Sequence, residues 1–354
     1  MRIGFVCVRD IFGEFYKEES VYLDDPDRPW LKQIKNKNHY ETDDDGRKFT
    51  SLEYDVGYCL KKLLPKAVID FIEPDDISVK RFHQSDLVFV LIYDLLEALY
   101  TEPIFFYNKY KTILKNCKNV YPPYEYQKFI NSKCMYYGAY QKLPNVHVVP
   151  SQCVCKRAWK SQDQLELCKS ILDKAKKQKW KNLFMKAEHG QESIYTDVIP
   201  TYSDPRRLMS MLEKKFQIFD GVVVQKFIDN FEGSWEYRMY FINGQYICTA
   251  GTKDDEVGIF EDEDGSLPKP KTFAKMKKMA ENAIKALPPI IVNGRKLPAL
   301  VNRCDMIDCA DEPNNICISE VEFTGSLYLQ DVKVLTDRIL VDQIINIMDA
   351  YLKR

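Results

Sequence analysis

The most informative segment of the chain reads Ile316-Cys317-Ile318-Ser319-Glu320-Val321-Glu322-Phe323. Its apolar residues predict a strand, and strand alternation places the two isoleucines, Glu320 and Glu322 on one face. Two carboxylates on one face repel each other unless a cation lies between them. Mg²⁺ is the natural candidate, because it takes hard oxygen ligands and keeps phosphates and waters in its shell. A solvated strand end is the alternative interpretation of this pair.

The composition is that of an ordinary soluble globular protein. The chain has 354 residues, of which 29% are charged and 13% aromatic, enough for two or three packed units. Lys and Arg number 51 and Asp and Glu 52, so the net charge is -1 and favours neither nucleic acid nor an anionic membrane as a partner. No apolar run approaches the roughly 20 residues of a membrane span. Residues 1–8 predict a first buried strand rather than a secretory signal.

Eleven cysteines, an odd number, are scattered through strand-like and helix-like segments. This pattern disfavours a disulfide framework and favours a reducing compartment, so we expect a cytoplasmic protein. The Cys153-Val154-Cys155 run and the spacing of Cys304 and Cys309 could suggest a metal. The chain has only four histidines, however, and no second matching pair. We therefore interpret the cysteines as small buried hydrophobic residues.

Strand and helix signals alternate over the first third of the chain. The predicted order is a strand at 3–8, a helix at 52–64, a strand at 67–72, a helix at 73–82 and a strand at 86–93. This alternation predicts a parallel sheet, in which ligands lie beyond the carboxyl ends of the strands. The pairs Arg9-Asp10 and Tyr93-Asp94 occupy such ends, and they either line a crevice or close turns. The polar stretch 14–48 is expected to be an exposed loop or insertion.

The segment Tyr121-Pro122-Pro123-Tyr124 interrupts this pattern and indicates a boundary. The elements predicted beyond it are helices at 125–141, 163–178, 205–216 and 335–351, and strands at 146–149, 183–186, 195–199, 222–227, 235–242, 246–250, 299–308 and 316–323. We expect three units: an N-terminal α/β domain over 1–120, a central unit over 121–220, and a C-terminal unit over 221–354.

A further acidic position lies in the strand-like run 299–308. Strand alternation places Arg303 and Asp305 on one face among apolar neighbours. Such a charged pair needs partners, because an unpaired buried charge is costly. One interpretation is an internal ion pair. The other is that Asp305 joins Glu320 and Glu322 around a metal, while Arg303 holds a negatively charged reacting group.

Lys186 ends a hydrophobic strand and precedes the small polar loop 187–194, which contains Ser193. An ammonium group at a strand end can contact a phosphate, and the backbone N–H groups of a small loop can fold over it. The loop has a single glycine and lacks the P-loop pattern. An ordinary hairpin loop is therefore the alternative.

An apolar strand becomes polar in the run Val222-Val223-Val224-Gln225-Lys226-Phe227-Ile228. This step suits a hinge whose backbone faces the edge of a purine, with Gln225 accepting from the exocyclic amine. Residues 236–245 then predict a strand, an Asn-Gly turn and a return strand. Glu236 and Arg238 share a face of that hairpin.

The order of these motifs resembles the ATP-grasp superfamily. The shared pattern is a strand-borne lysine with a small loop, the hinge, a Glu-x-Arg hairpin, and then Arg-x-Asp and Glu-x-Glu strands. The resemblance covers about residues 122–330, and the preceding α/β segment is similar to the family's usual N-terminal domain. It implies an α/β fold with α+β character in the C-terminal part, that is, an ATP-grasp fold preceded by a Rossmann-like parallel-sheet domain.

The resemblance also implies ATP and Mg²⁺ as cofactors. The Asn131-Ser132-Lys133 run, which leads to residues 144–151, resembles the helix and strand that bring in the first nucleotide-binding lysine. The implied roles are nucleotide binding by Lys133, Lys186, Ser193, Gln225, Lys226, Phe227 and Glu236, metal binding by Asp305, Glu320 and Glu322, and stabilisation of the transferring group by Arg303 and Lys186. Many members carry Asn where this chain has Glu322, which alters the charge at the metal.

By the same resemblance, we expect an ATP-dependent ligase that joins a carboxylate to an amine through an acyl phosphate, releasing ADP and phosphate. The expected partners are small-molecule or peptide substrates, and a homodimer stays open by analogy. One alternative is a kinase acting on a small molecule such as an inositol phosphate or a polyol. The acidic stretch 14–48 and the net charge of -1 argue mildly against a polyphosphorylated substrate. A nucleotide-binding protein without catalysis is the other alternative.

Overall fold

The computed structural model describes residues 1–7, 21–91, 103–189, 196–229, 234–253, 256–260, 270–309, 316–323 and 337–353. Within these ranges the chain forms a four-stranded parallel sheet followed by antiparallel sheets of four and five strands, with helices packed between and around them. The predicted α/β class, with its antiparallel C-terminal part, is confirmed.

The N-terminal part is built around the predicted parallel sheet. Its elements are β1 (Arg2–Val6), β2 (Val21–Tyr22), β3 (Glu41–Thr42), β4 (Lys48–Thr50), β5 (Val68–Ile72), β6 (Leu87–Phe89) and β7 (Val120–Tyr121), with helices α1 (Leu52–Leu63), α2 (Val79–Phe82) and α3 (Pro103–Asn116). The strand order is β5-β1-β6-β7, and all neighbours are parallel. The helix predicted over 73–82 is shorter than expected, because Ser78 accepts a hydrogen bond from the Arg81 N–H and caps α2 as a separate helix.

The polar stretch predicted as an exposed loop is folded where the structure describes it. Residues 21–50 contain a small antiparallel sheet of order β2-β4-β3 with a buried apolar side. Arg28 Nε lies 3.3 Å from the Asp55 carboxylate in α1, and the Trp30 indole donates to the same carboxylate. The segment is thereby anchored on α1. Its residues 14–20 lie outside the described ranges.

The second sheet is antiparallel and has the order β10-β9-β11-β8. The elements of this part are α4 (Tyr124–Asn131), α5 (Lys133–Tyr140), β8 (Ser151–Cys155), α6 (Lys156–Ser161), α7 (Gln164–Lys177), β9 (Asn182–Ala187), β10 (Asp197–Pro200), α8 (Pro205–Ile218) and β11 (Gly221–Lys226). The single helix predicted over 125–141 is divided at Ser132. That residue has an extended backbone, and its hydroxyl accepts from the Met135 N–H as the cap of α5.

The third sheet has the order β14-β13-β12-β17-β18. Its part of the chain contains β12 (Glu236–Ile242), β13 (Gln245–Lys253), β14 (Glu256–Phe260), α9 (Pro270–Lys285), β15 (Ile290–Val292), β16 (Arg295–Leu297), β17 (Val301–Asp308), β18 (Ile316–Glu322) and α10 (Asp337–Leu352). The predicted hairpin is confirmed. Asn243 and Gly244 form its two-residue turn with φ of 49° and 73°, as a hairpin turn requires.

The pairing of β18 with β17 corrects one sequence prediction. Met306 pairs with Ile318, whereas its neighbour Asp305 pairs with Glu320, so Ser319 is an extra residue in a β-bulge. The isoleucines before the bulge therefore share the face of Met306, and the glutamates after it share the face of Asp305. The prediction that isoleucines and glutamates lie on one face is wrong, because one inserted residue reverses the alternation.

The edge strand β18 also joins the third sheet to the chain ahead of β8. Val148 forms an isolated parallel bridge with Ile318. The Ile318 N–H donates to the His147 carbonyl at 2.8 Å, and the Val149 N–H lies 3.4 Å from the Ile318 carbonyl. The acidic strand is thus held between its sheet and the segment that follows α5.

The cysteines are mostly buried, as predicted. Eight of the eleven are buried, and all eleven are free thiols. Cys153 and Cys155 are exposed, however, so the prediction is wrong for these two. Both side chains lie on one face of β8, whereas Val154 between them lies on the opposite face and is buried.

Gly57 gives a test of how α1 packs on the parallel sheet. A Cβ added there would lie 2.6 Å from Cζ of Phe71, a ring that contacts the rings of Tyr54 and Tyr58. We expect Gly57→Ala to lower the free energy of unfolding by about 1–3 kcal/mol, because the crowded ring has to move. Chemical denaturation of the purified variant measures this.

Gly138 in α5 is the matched control, because a Cβ added there would meet nothing within 4 Å. Gly138→Ala should raise the free energy of unfolding by about 0.5–1 kcal/mol through helix propensity. Equal effects of the two substitutions would contradict the packing of α1.

Candidate active site

Three carboxylates converge where β17 and β18 lie side by side. Asp305 pairs with Glu320 across the two strands, and Arg303 pairs with Glu322. Oxygen atoms of Asp305, Glu320 and Glu322 all lie within 4.8 Å of one another. Carboxylate oxygens at this spacing form the hard donor set that a small divalent cation prefers. The structure therefore brings together the three residues predicted to bind metal.

Arg303 lies between two of these carboxylates. Its Nε and Nη2 atoms donate to the two Asp305 oxygens at 2.7 and 2.8 Å, and Nη2 lies 3.0 Å from Oε2 of Glu322. Burial raises the pKa of Glu322 to about 7, and the Arg303 charge opposes this only in part. Among the described residues, the buried Nη1 of Arg303 has no hydrogen-bond partner. Arg303 and Asp305 thus form an internal ion pair, which is the first interpretation of their spacing, and the metal and reacting-group roles of the second stay predictions.

Lys133 supplies a second cation from the start of α5. Its backbone N–H donates to the Glu188 carbonyl at 3.0 Å, and the Ser132 hydroxyl donates to the Glu188 carboxylate. The Lys133 ammonium lies 2.5 Å from Oε1 of Glu320. Burial raises the pKa of Glu320, but the charges of Lys133 and Lys186 outweigh it and hold that pKa at about 2. Glu320 is therefore ionised at neutral pH.

A glycine permits this close docking of α5 on the second sheet. The Glu188 side chain covers Gly221, where an added Cβ would lie 2.8 Å from the carboxyl carbon. The Glu188 N–H also donates to the Gly221 carbonyl at 2.9 Å. A larger residue at Gly221 would displace Glu188 and, with it, the start of the helix that carries Lys133.

Lys186 reaches the acidic cluster from β9. Its Nζ atom donates to the Tyr137 hydroxyl at 3.0 Å and lies 3.5 Å from the Ser319 carbonyl oxygen. Burial lowers the pKa of Lys186, and the charges of Glu320 and Glu236 oppose that shift. Lysines from two different elements thus face the acidic end of β18.

Glu236 adds a fourth carboxylate at the same place. The Ser319 hydroxyl donates to Oε1 of Glu236 at 2.9 Å, and Nη2 of Arg238 lies 3.3 Å from Oε2. Burial raises the pKa of Glu236, and the Asp305 charge raises it further. The predicted shared face of Glu236 and Arg238 is confirmed by their ion pair. Glu236 lies beside the acidic cluster rather than at the hinge.

The predicted hinge lies at the end of β11. Gln225 is buried, and its Oε1 has no hydrogen-bond partner among the described residues. The backbone N–H groups of Lys226 and Phe227 donate to the carbonyls of Pro150 and Asn182 at 2.9 and 3.1 Å. Both N–H groups are therefore used inside the fold. A purine would have to be held by the Gln225 side chain or by the carbonyl oxygens of the hinge.

Several predicted positions fall outside the described ranges. They are Ser193 in the loop after β9 and the sheet-edge residues Arg9, Asp10, Tyr93 and Asp94. Their roles stay predictions. Val223 of β11 pairs with Lys186, and Gln225 follows Val223 by two residues. Gln225 therefore lies on the same face of the second sheet as Lys186.

Solved structures share this architecture over nearly the whole chain. The D-alanine–D-alanine ligase of Bacillus anthracis has a TM-score of 0.58 and 15% identity, covering 98% of this chain and 97% of that one. D-cycloserine synthetase DcsG has a TM-score of 0.57 and 14% identity, covering 97% and 100%. D-alanyl-alanine synthetase A of Vibrio cholerae has a TM-score of 0.57 and 12% identity, covering 98% of each chain. A further structure of the Bacillus anthracis ligase is complexed with ATP. No protein-family model and no curated protein sequence matches the chain.

The chain has an ATP-grasp fold. The fold predicted from the motif order is confirmed. The TM-scores of 0.57–0.58 show the architecture, whereas identities of 12–15% leave the activity to be argued from the site itself.

Two groups that hold this site together are missed by the sequence analysis. Tyr137 follows Lys133 by four residues, a spacing that places two helical side chains on one face, so a signal existed. Strand alternation alone predicts an ordinary strand position for Ser319. Its role depends on the bulge, which appears only when β18 is paired with β17.

A further acidic group lies at the carboxyl ends of the parallel strands. Glu53 is fully buried in the first turn of α1, Cys7 follows β1, and Glu73 follows β5. The charges of both glutamates add to burial in raising the pKa of Cys7, so the three groups are neighbours. Burial also raises the pKa of Glu53 to about 7. Parallel sheets bind ligands at this edge, which makes Glu53 a candidate substrate contact.

None of the helices in the described ranges combines the length and apolar character that crossing a bilayer requires.

Glu53 gives a pH-dependent prediction. Because its folded-state pKa of about 7 lies above the ordinary value of 4.5, the unfolded chain ionises first as the pH rises. Stability should therefore fall between about pH 4.5 and 7 and stay low above pH 7. Between pH 5 and 8, the free energy of unfolding of Glu53→Gln should fall by on the order of 2 kcal/mol less than that of the parent protein. Denaturation of both proteins at each pH measures the difference.

Glu166→Gln is the control, because the Glu166 side chain is 65% exposed. Its pH profile should match that of the parent protein. If Glu53→Gln and the parent lose stability equally between pH 5 and 8, the carboxylate is not held neutral in the fold.

Proposed function

We propose that this protein is an ATP- and Mg²⁺-dependent ligase that joins a carboxylate to an amine. The observation that supports it most is the cluster in which Asp305, Glu320 and Glu322 lie against three cations from three different elements. Phosphoryl transfer requires positioned positive charge and a metal site more than a nucleophilic side chain. The similarity of the fold to the ligases described above supports the same reaction class.

The donor set fits the metal that the proposal requires. Asp305, Glu320 and Glu322 offer only carboxylate oxygens, and the charges of Glu320 and Asp305 add to burial in raising the pKa of Glu322. These three residues would hold Mg²⁺, which would neutralise charge on the phosphates. The Glu322 carboxylate would then be held ionised by the metal rather than protonated near pH 7.

The cationic side chains would contact the nucleotide and the transferring group. Lys133 and Lys186 would bind phosphate oxygens, and Nη1 of Arg303, which has no hydrogen-bond partner among the described residues, would donate to a developing negative charge. Gln225 would accept from the purine amine. A substrate carboxylate would attack the γ-phosphate to form an acyl phosphate and ADP. The amine would then form the C–N bond, release phosphate and lose a proton to solvent.

The substrates would bind beside the carboxyl ends of the strands of the parallel sheet. A buried carboxylate such as Glu53 is stabilised by a cation, and an ammonium group on the amine or amino-acid substrate would supply one. Small-molecule or peptide carboxylates and amines are therefore the proposed substrate classes.

Two substitutions test the assigned site. Lys186→Met removes a phosphate contact, and Glu320→Gln removes one metal ligand while keeping its shape. Each should lower ADP release by at least about 100-fold, because the lost charge acts on the transition state. ADP release is measured with ATP, Mg²⁺ and a panel of amino acids, dipeptides and polyols.

Lys181→Met is the control for the lysine, because Lys181 lies just before β9 and its side chain is 81% exposed. Lys181→Met should release ADP at the same rate as the parent protein. Undiminished turnover in Lys186→Met or Glu320→Gln, with a native thermal melt, would show that the site is elsewhere.

The products separate a ligase from a kinase. With ATP labelled in the γ-phosphate, a ligase should release all of the label as free phosphate and form a new amide in equal amount. Label retained in an acid-stable product would instead assign a kinase. Mass spectrometry of the reaction mixture distinguishes the two.

A further inference from the structure

Tyr137 connects the two sides of the candidate site. It is fully buried on α5, one turn after Lys133, and its hydroxyl donates to the Ser319 carbonyl. The same hydroxyl accepts from the Lys186 ammonium at 3.0 Å, and that ammonium lies 5.2 Å from the centre of the Tyr137 ring. One side chain thus contacts β9 and β18 at once.

The bulge in β18 makes this arrangement available. Ser319 is the residue left over in the pairing with β17, so its carbonyl is turned out of the ladder and accepts from Tyr137 and Lys186. Its hydroxyl donates to Glu236 at 2.9 Å. A bulged residue therefore links the lysine to the acidic cluster.

The direction of the hydrogen bonds is fixed by chemistry. An ammonium can only donate and a carbonyl can only accept, so the hydroxyl must accept from Lys186 and donate to Ser319. Burial, followed by the Glu320 charge, raises the pKa of Tyr137, so the hydroxyl keeps the proton that it donates. Among the described residues, Tyr137 and Ser319 account for two of the three N–H donors of Lys186. Within the described part of the chain the third donor has no hydrogen-bond partner, and a phosphate oxygen would accept from it.

We propose that Tyr137 is a positioning residue that fixes the Lys186 ammonium against β18 and thereby sets the affinity for the phosphates of a nucleotide, but not for its base. This inference rests on the proposed function, since it concerns nucleotide binding by Lys186. Without the hydroxyl, the buried ammonium loses its 3.0 Å hydrogen bond, keeps the 3.5 Å contact to Ser319 and its place by the aromatic ring, and is drawn towards the Glu320 carboxylate. It is then held less firmly where a phosphate would meet it.

Tyr137→Phe tests this by removing only the hydroxyl. Calorimetry of the protein with MgATP and with adenosine gives two dissociation constants. We expect the MgATP constant to rise by about tenfold, the size expected for losing a hydrogen bond to a charged group. The adenosine constant should stay within about twofold. A variant whose fold was only destabilised would bind both MgATP and adenosine more weakly.

Tyr140→Phe is the matched control. Tyr140 lies on the same helix, is equally buried, and donates to the Ala283 carbonyl at 3.1 Å, away from Lys186. It should lose stability in the thermal melt but bind MgATP and adenosine like the parent protein. MgATP binding weakened equally in Tyr137→Phe and Tyr140→Phe would overturn the inference.

A double-mutant cycle decides whether Tyr137 acts through Lys186. In the Lys186→Met background, Tyr137→Phe should change the MgATP constant by less than about twofold. Additive effects would overturn the inference. If the parent protein binds no MgATP, the proposed function fails together with the inference. If the parent binds MgATP and Tyr137→Phe binds it equally well, only the inference fails.

Discussion

The whole site depends on the mutual neutralisation of buried charge. Four carboxylates, those of Glu236, Asp305, Glu320 and Glu322, meet four cations, those of Lys133, Lys186, Arg238 and Arg303. Removing any one partner from such a cluster leaves a charge in a medium that solvates it poorly, which costs roughly 3–5 kcal/mol. The partners come from α5, β9, β12, β17 and β18. The pairs of Arg238 and Arg303 form within the third sheet, but the charges of Glu320, Lys133 and Lys186 are balanced only when the helix and both sheets come together.

The bulge at Ser319 gives this cluster its geometry. Without it, strict alternation would place Glu320 and Glu322 on the face of Met306, away from Arg303 and Asp305. The extra residue rotates the end of β18 so that its carboxylates meet those cross-strand partners. It also frees a carbonyl for Tyr137 and Lys186. One additional residue thus aligns the acids and supplies an acceptor for the lysine from the other sheet.

The sequence predicted what depends on local pattern and missed what depends on pairing. The strand at 299–308 was predictable because regular alternation places Val301, Arg303 and Asp305 on one face. The structure keeps this alternation, since β12 pairs with β17 without a shift. The break between α4 and α5 at Ser132 was not predictable, because the helical pattern continues on both sides of it. The break depends on the contact of Ser132 with Glu188. The fold of residues 21–50 was also missed, since their polar composition conceals the contacts with Asp55.

The same charge balance bears on how a nucleotide would bind under the proposed function. Lys133 and Arg303 already contact Glu320, Glu322 and Asp305, so phosphates would have to compete with carboxylates for them. A divalent cation on the three acids would remove that competition, because it replaces the positive charge that the lysine and arginine supply. Metal and nucleotide should therefore bind more tightly together than apart, as thermodynamic coupling requires. Lys186 differs, since its contacts are with neutral oxygens of Tyr137 and Ser319, and it can meet a phosphate without leaving a carboxylate unpaired.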